Sequence, residues 1–127
     1  MKGYLDNIEK ITEENKYFRQ VLFTSQHNQL VVMSLLPNEE IGMEVHEVTD
    51  QFFRVESGEG KVIMNGEEKL IKGGDAIIVT AGTQHNVINT SSVLPLKLYT
   101  IYSPPHHKDQ IVHKTKAEAE ADTEDHL

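Results

Sequence analysis

The stretch from residue 74 to residue 89 constrains the fold of this chain more than any other part. An apolar run at residues 76–79 has the length of a strand, Ala81-Gly82 predicts a tight turn, and a second predicted strand begins at His85. Upstream, Glu44, His46 and Gln51 lie on a similar pair of predicted strands. Side chains that bind metals can therefore point into one interior, which favours a small β-protein with an internal metal site.

Short apolar runs separated by turn residues recur through the middle of the chain. Asn65-Gly66 between two of them predicts a hairpin, because both residues tolerate positive φ. Such a series without a long helical period predicts an all-β sandwich or barrel, preceded by a helical turn at residues 8–15. The predicted strands cover residues 18–24, 30–36, 52–55, 61–64, 70–72, 76–79, 85–88 and 96–102.

The length of 127 residues fits one domain, and no repeat of fixed period divides it. We predict a single β-barrel over residues 1–113. Residues 114–127 form an acidic tail in which alanine and acidic residues alternate, as in a short solvated helix or a disordered segment. The apolar strand near residues 18–23 is predicted to lie at a sheet edge and across a partner, giving a homodimer.

Composition excludes several classes of protein. There is no cysteine, so disulfides, thiolate metal sites and thiol nucleophiles are excluded. A formal charge of -8 without a basic stripe predicts no nucleic-acid partner. No apolar run approaches the roughly 20 residues of a membrane span, and the first residues do not resemble a signal peptide. We expect a cytoplasmic protein without a membrane partner.

The alternation of side chains along strands brings a possible ligand set together. Glu44 and His46 are two residues apart and share a face, and the alternation also directs Gln51 and His85 inward. Two imidazoles and one carboxylate suit divalent iron, manganese, nickel or zinc, with the Gln51 oxygen as the weakest ligand. A pair of Glu44 and His46 in a wet cavity, with no metal, is the alternative interpretation.

At these positions the sequence resembles the cupin superfamily. The first motif of that family reads, in outline, His-x-His, three or four residues, Glu, six residues, Gly. The matching positions here are Glu44, His46, Gln51 and Gly58, so Glu44 replaces a histidine and Gln51 replaces the glutamate. Because the family also allows the shorter spacing, Asp50 competes with Gln51 for the role of oxygen ligand.

The second motif of the family is the more specific match. Gly74, Gly82, His85 and Asn89 are all in register with it, whereas Thr80 stands where a proline is usual. The resemblance covers roughly residues 30–103 and implies an all-β double-stranded β-helix, or jelly roll, with a metal inside. The ligands it implies are the four residues named above.

The resemblance leaves the function open between two classes. One is a binding module that holds a divalent metal and a small molecule, a sugar or an organic acid; the other is a metal-dependent dioxygenase, isomerase or decarboxylase. Fold alone does not choose between them. A metal-free epimerase-like variant needs a His-Asp base pair and a tyrosine acid, which the sequence does not identify.

The remaining histidines are not predicted to join the site. His27, His113 and His126 have no partner at a useful spacing. His106 and His107 are adjacent and should point apart, so a solvated loop is expected there.

Overall fold

Residues 2–125, which the computed structural model describes, form nine strands and two short helices. Their bounds are α1 (Ile8–Glu14), β1 (Arg19–Thr24), β2 (Gln29–Leu35), β3 (Asp50–Ser57), β4 (Glu59–Met64), β5 (Glu67–Lys72), β6 (Ala76–Val79), β7 (His85–Asn89), β8 (Leu96–Ser103), β9 (Val112–His113) and α2 (Lys116–Ala121). The expectation for His126 lies outside the described residues. None of the helices within residues 2–125 is long and apolar enough to cross a membrane.

The strands form two antiparallel sheets, as predicted for a jelly roll. The larger sheet has the order β6-β3-β8-β2-β1-β9, and the smaller has the order β5-β4-β7. β3, β6 and β8 belong to the larger sheet and β4, β5 and β7 to the smaller, so the chain crosses repeatedly from one sheet to the other. The predicted all-β jelly-roll fold is confirmed.

Alternating burial along β3 and β8 shows which face of the larger sheet forms the core. On β3 the inward side chains are Gln51, Phe53 and Val55, all almost fully buried. β8 pairs with β3 so that Gln51 lies opposite Tyr102, while Leu98 lies opposite Val55. The interior is therefore apolar near Val55 and becomes polar toward the end that carries Gln51.

Two tight backbone features support the smaller sheet. The β4–β5 hairpin turns at Asn65 and Gly66, whose φ angles are 48° and 83°, as the sequence predicts. Gly60 on β4 pairs with Asn89 on β7, and a Cβ atom at Gly60 would press against the carbonyl oxygen of Ile88. The close packing of β4 against β7 therefore depends on a missing side chain at this position.

The segment after β8 returns to the N-terminal strand. β9 pairs with β1 at Arg19 and Gln20, so this part of β1 is not the open edge that the sequence predicts. α2 begins at a capping box formed by Thr115 and Glu118, and it buries Ala119 in the core. Residues 112–125 thus cover the first strand and one end of the barrel.

Candidate metal centre and adjoining cavity

Glu44 and His46 precede β3 and are held at the end of β7. The backbone of Glu44 forms a bridge with His85: its N–H donates to the His85 carbonyl at 2.8 Å, and its carbonyl accepts from the His85 N–H at 2.9 Å. The Glu44 side chain then reaches His46, whose Nε2 lies 2.9 Å from the Glu44 Oε2. Two segments that are distant in sequence are therefore joined directly at the site.

The Nε2 atom of His46 is a buried polar atom that lacks a hydrogen bond within residues 2–125. It lies close to the Glu44 carboxylate, but not in hydrogen-bond geometry. Buried nitrogen atoms are normally hydrogen-bonded or bound to a metal. A ring nitrogen and a carboxylate oxygen at this distance fit either an ion pair or two ligands of one cation.

His106 is a third potential ligand, and sequence reasoning missed it. One ring nitrogen of His106 lies within 4.8 Å of ligand atoms of both Glu44 and His46. The His106 ring centre is 4.2 Å from that of His46, and the ring stacks on Tyr102 at 5.4 Å. The expected solvated loop is therefore wrong for His106, which faces the barrel.

Gln29 explains why the loop turns inward. This glutamine is fully buried on β2, and its Oε1 accepts from the backbone N–H groups of His106 and His107 at 3.1 and 2.9 Å. Its Nε2 donates to the His107 carbonyl at 2.7 Å. The contacts that position His106 come from a strand far away in sequence, so no local pattern predicts them.

His85 and Gln51 lie beside this group. The His85 Nδ1 is 2.9 Å from the Thr83 carbonyl, which assigns the proton to Nδ1 and leaves a lone pair on Nε2. That Nε2 faces the Gln51 Oε1 at 3.2 Å, while the Gln51 Nε2 donates to Thr100 at 3.0 Å. Two acceptors that face each other favour a cation nearby. The His85 ring centre is 5.3 Å from that of His46.

The four residues expected from sequence, Glu44, His46, Gln51 and His85, thus meet at one end of the barrel. The competing oxygen, Asp50, does not join them: it is exposed, and its Oδ1 accepts from the Ala81 backbone N–H at 2.8 Å. Strand alternation separates Asp50 from its inward neighbour.

Electrostatics favour the ligand-competent protonation states. Burial opposes ionisation of Glu44, but its contact with His46 and the charge of Arg19 outweigh burial, so the pKa of Glu44 lies below its usual range. Burial also lowers the pKa of His85, and it lowers that of His106 with help from His46. At neutral pH the site therefore offers a carboxylate at Glu44 and neutral imidazoles at His85 and His106, as a metal requires.

A cavity of about 270 Å³ adjoins these residues. Glu44, His46 and His106 line it, as do Arg19 and His113. Its size suits a small molecule.

A His-Asp pair with a tyrosine is also present, although the sequence did not reveal it. The His107 Nδ1 lies 2.7 Å from the Asp125 Oδ2, and the His107 Nε2 lies 3.1 Å from the Tyr102 hydroxyl. Burial and the charge of Arg19 lower the pKa of His107 to about 4, against the opposing effect of Asp125. Because both ring nitrogens are already bonded, His107 has no free position for a substrate proton. This arrangement therefore fits a packing contact better than the acid–base groups of a metal-free epimerase.

His113 does have partners, contrary to expectation. Its Nε2 lies 3.0 Å from the Asp122 Oδ2, and this hydrogen bond holds the pKa of Asp122 below its usual value. His113, Asp122 and Asp125 bring ligand atoms within 4.8 Å of one another. Asp125 is already bonded to His107 and to the backbone of Lys108, so this second cluster is accounted for by hydrogen bonds.

Comparison with known proteins agrees with the fold and the motifs. The chain is similar to BH2720 from Bacillus halodurans, whose crystal structure is matched with 44% sequence identity and a TM-score of 0.91, covering 94% of this chain and 95% of that one. It is 45% identical over 126 residues to the Bacillus subtilis protein YrkC, covering 94% of this chain and 67% of YrkC.

A more distant likeness is to a protein described as a predicted oxalate decarboxylase from Thermotoga maritima. That structure has 25% identity and a TM-score of 0.59, covering 63% of this chain and 69% of that one. The family described as the Cupin domain matches residues 31–102, which contain both motifs. With the jelly roll and the two motif segments joined at one site, the chain belongs to the cupin superfamily.

Proposed function

We propose that this cupin binds one divalent transition metal at the end of its barrel and holds a small molecule in the adjoining cavity. The observation that carries the proposal is the buried Nε2 of His46, which has no hydrogen-bond partner among the described residues and faces the Glu44 carboxylate and His106. His85 and Gln51, whose lone pairs face each other, complete the proposed ligand set.

The donor set limits the choice of metal. Imidazole nitrogens with one carboxylate suit divalent iron, manganese, nickel or zinc. Glu44 would supply the negative charge, and Gln51 would supply a neutral and weaker oxygen. When bound, such an ion polarises an oxygen atom of the small molecule. The residues of the chain hold that molecule in place and shield it from bulk water.

Metal analysis of single variants tests this site. Protein purified without a chelator or a nickel column should contain about one transition metal ion per chain. His46→Ala and His85→Ala should lose most of it, whereas Gln51→Ala should lose less because a water can replace a neutral oxygen. The matched control is His27→Ala, which removes an exposed histidine. Equal metal content in all four variants and the wild type would show that the site assignment is wrong.

Three further variants test the individual roles within the ligand set. Glu44→Gln removes the charged ligand and should weaken binding, while Gln51→Glu should tighten it by adding a carboxylate. His106→Ala decides whether the loop histidine is a ligand: it should lower the affinity by tenfold or more. If His106→Ala left the metal affinity unchanged, the ligands would be only the residues predicted from the sequence: Glu44, His46, Gln51 and His85.

A second candidate is metal-dependent turnover of a small organic acid. The observation in its favour is the similarity to the protein described as a predicted oxalate decarboxylase. The test is incubation of the metal-loaded protein with oxalate, with formate and carbon dioxide as the measured products. His46→Ala is the control for metal-dependent turnover. If the metal-loaded wild type forms no product, this second candidate is wrong and the binding function remains.

A further inference from the structure

Arg19 is a buried cation in the wall of the cavity beside the candidate metal centre. It lies on β1, is 8% exposed, and lines the same cavity as Glu44 and His46. Among residues 2–125 it forms no salt bridge with a carboxylate. Buried arginines are normally paired, because an unpaired charge in a protein interior is costly.

The contacts that Arg19 does make orient it without neutralising it. Its Nη1 lies 3.4 Å from the His113 Nδ1, and its guanidinium lies 5.2 Å from the centre of the Phe18 ring. The His113 Nε2 is bonded to Asp122, so the His113 Nδ1 is free to accept from Arg19. The Arg19 Nε has no hydrogen-bond partner at all within residues 2–125.

The other charged groups around the cavity are engaged elsewhere. Asp125 accepts from His107 and from the backbone of Lys108, and Glu44 lies against His46. Lys116 lies 3.8 Å from Glu120 on the same helix. Among the described residues that line the cavity, the guanidinium of Arg19 is therefore a cation without a salt bridge.

We propose that Arg19 binds the carboxylate of a small organic acid inside this cavity. A planar guanidinium matches a carboxylate through paired hydrogen bonds, and the low dielectric of the cavity strengthens them. The adjacent carboxylates Glu44 and Asp125 disfavour a phosphate, which carries up to two negative charges on one group, whereas each carboxylate of an organic acid brings only one to the guanidinium. The inference rests on the proposed function in one respect: the far end of the acid would reach the metal centre.

Calorimetric titration of the full chain tests the proposal. Succinate is the probe, succinamide is its uncharged analogue, and inorganic phosphate is the competing anion, all in a buffer free of carboxylate and phosphate. We expect wild type to bind succinate and to bind succinamide at least tenfold more weakly. Arg19→Gln should lose roughly 10- to 100-fold in succinate affinity, the range for a hydrogen-bonded charged group. Arg54→Gln is the matched control, because Arg54 is the other arginine of the chain and lies on the outer face of β3.

Titration of both chelated and metal-loaded protein separates this inference from the proposed function. Succinate binding that depends on Arg19 in the chelated protein supports the inference even if the chain binds no metal. Equal succinate affinity in Arg19→Gln and wild type overturns it, whether or not metal is bound. Stronger binding of phosphate than of succinate overturns the assignment to a carboxylate, as does equal binding of succinamide.

Folding of the variants is checked by thermal unfolding. If Arg19→Gln does not fold, Arg19→Lys retains the charge but loses the paired hydrogen bonds, and we expect severalfold weaker succinate binding. The comparison of succinate with succinamide needs no variant, so the proposal stays testable on the wild type.

Discussion

Removing the carboxylate of Asp125 should release the C-terminal segment from the barrel. The side chain of Asp125 is 2% exposed and accepts two hydrogen bonds, from the His107 Nδ1 at 2.7 Å and from the Lys108 backbone N–H at 2.6 Å. Asp125→Ala leaves both donors without a partner. The change is confined to one buried side chain with two hydrogen bonds, so its energetic effect can be worked out directly.

Each orphaned buried donor costs about 1–3 kcal/mol, and two of them set an upper range of about 2–6 kcal/mol. The segment can detach and expose both donors to water, which limits the loss. Detachment also exposes Ala119, a small side chain whose burial contributes only about 1 kcal/mol. We therefore expect a loss of about 3 kcal/mol in the free energy of unfolding, or roughly 10 °C in Tm.

Urea unfolding and amide hydrogen exchange together measure this effect. Urea gives the change in the free energy of unfolding, and hydrogen exchange shows whether protection is lost in α2 first. Glu124→Ala is the matched control, since Glu124 is 83% exposed and its surface pair with Lys108 contributes little. If both variants had the same unfolding free energy and α2 were unprotected in the wild type, residues 114–125 would be the mobile acidic tail that composition suggests.

Three other outcomes are expected. Gly60→Ala should destabilise the fold by about 2–3 kcal/mol in urea, because its Cβ would press against Ile88, whereas Gly3→Ala, which meets open space, should be neutral. Metal affinity, measured by equilibrium dialysis, should fall as pH drops through about 6, because protons compete for the imidazoles. Burial lowers the pKa of His85 and His106, so the loss of affinity begins below the ordinary histidine pKa of about 6.5. An affinity that rose in acid would contradict this. Light scattering should show the homodimer predicted from the sequence. Because β9 occupies part of the β1 edge, we expect the two chains to meet at the edge strands β5 or β6 instead. A monomer mass at high protein concentration would refute the dimer.

The strands could be predicted from the sequence because each is a local pattern. The apolar run at residues 76–79 coincides with β6, and the Asn65-Gly66 turn lies where the hairpin signal put it. Strand alternation also directed Gln51 inward, as its burial shows, whereas the competing Asp50, left open by the sequence, is exposed. The alternation of side chains is a property of each strand itself, so these conclusions did not require knowing which strands pair.

The rest of the site depends on contacts that no local pattern contains. His106 follows a proline pair in a loop, and its direction is set by Gln29. Arg19 is buried because β9 and α2 return to cover β1, although a charged residue on a strand is ordinarily expected at the surface. Asp125 is acidic like its neighbours, and only its position against His107 distinguishes it.

The contact between Gln29 and the loop of His106 has a consequence for when the proposed metal could be acquired. During synthesis, Glu44 and His46 leave the ribosome long before His106, and Gln29 cannot orient the loop until β8 lies beside β2. A growing chain would therefore present an incomplete donor set. The metal would enter a barrel that is already closed, so the supply of ions reaching the finished protein would decide which metal it carries.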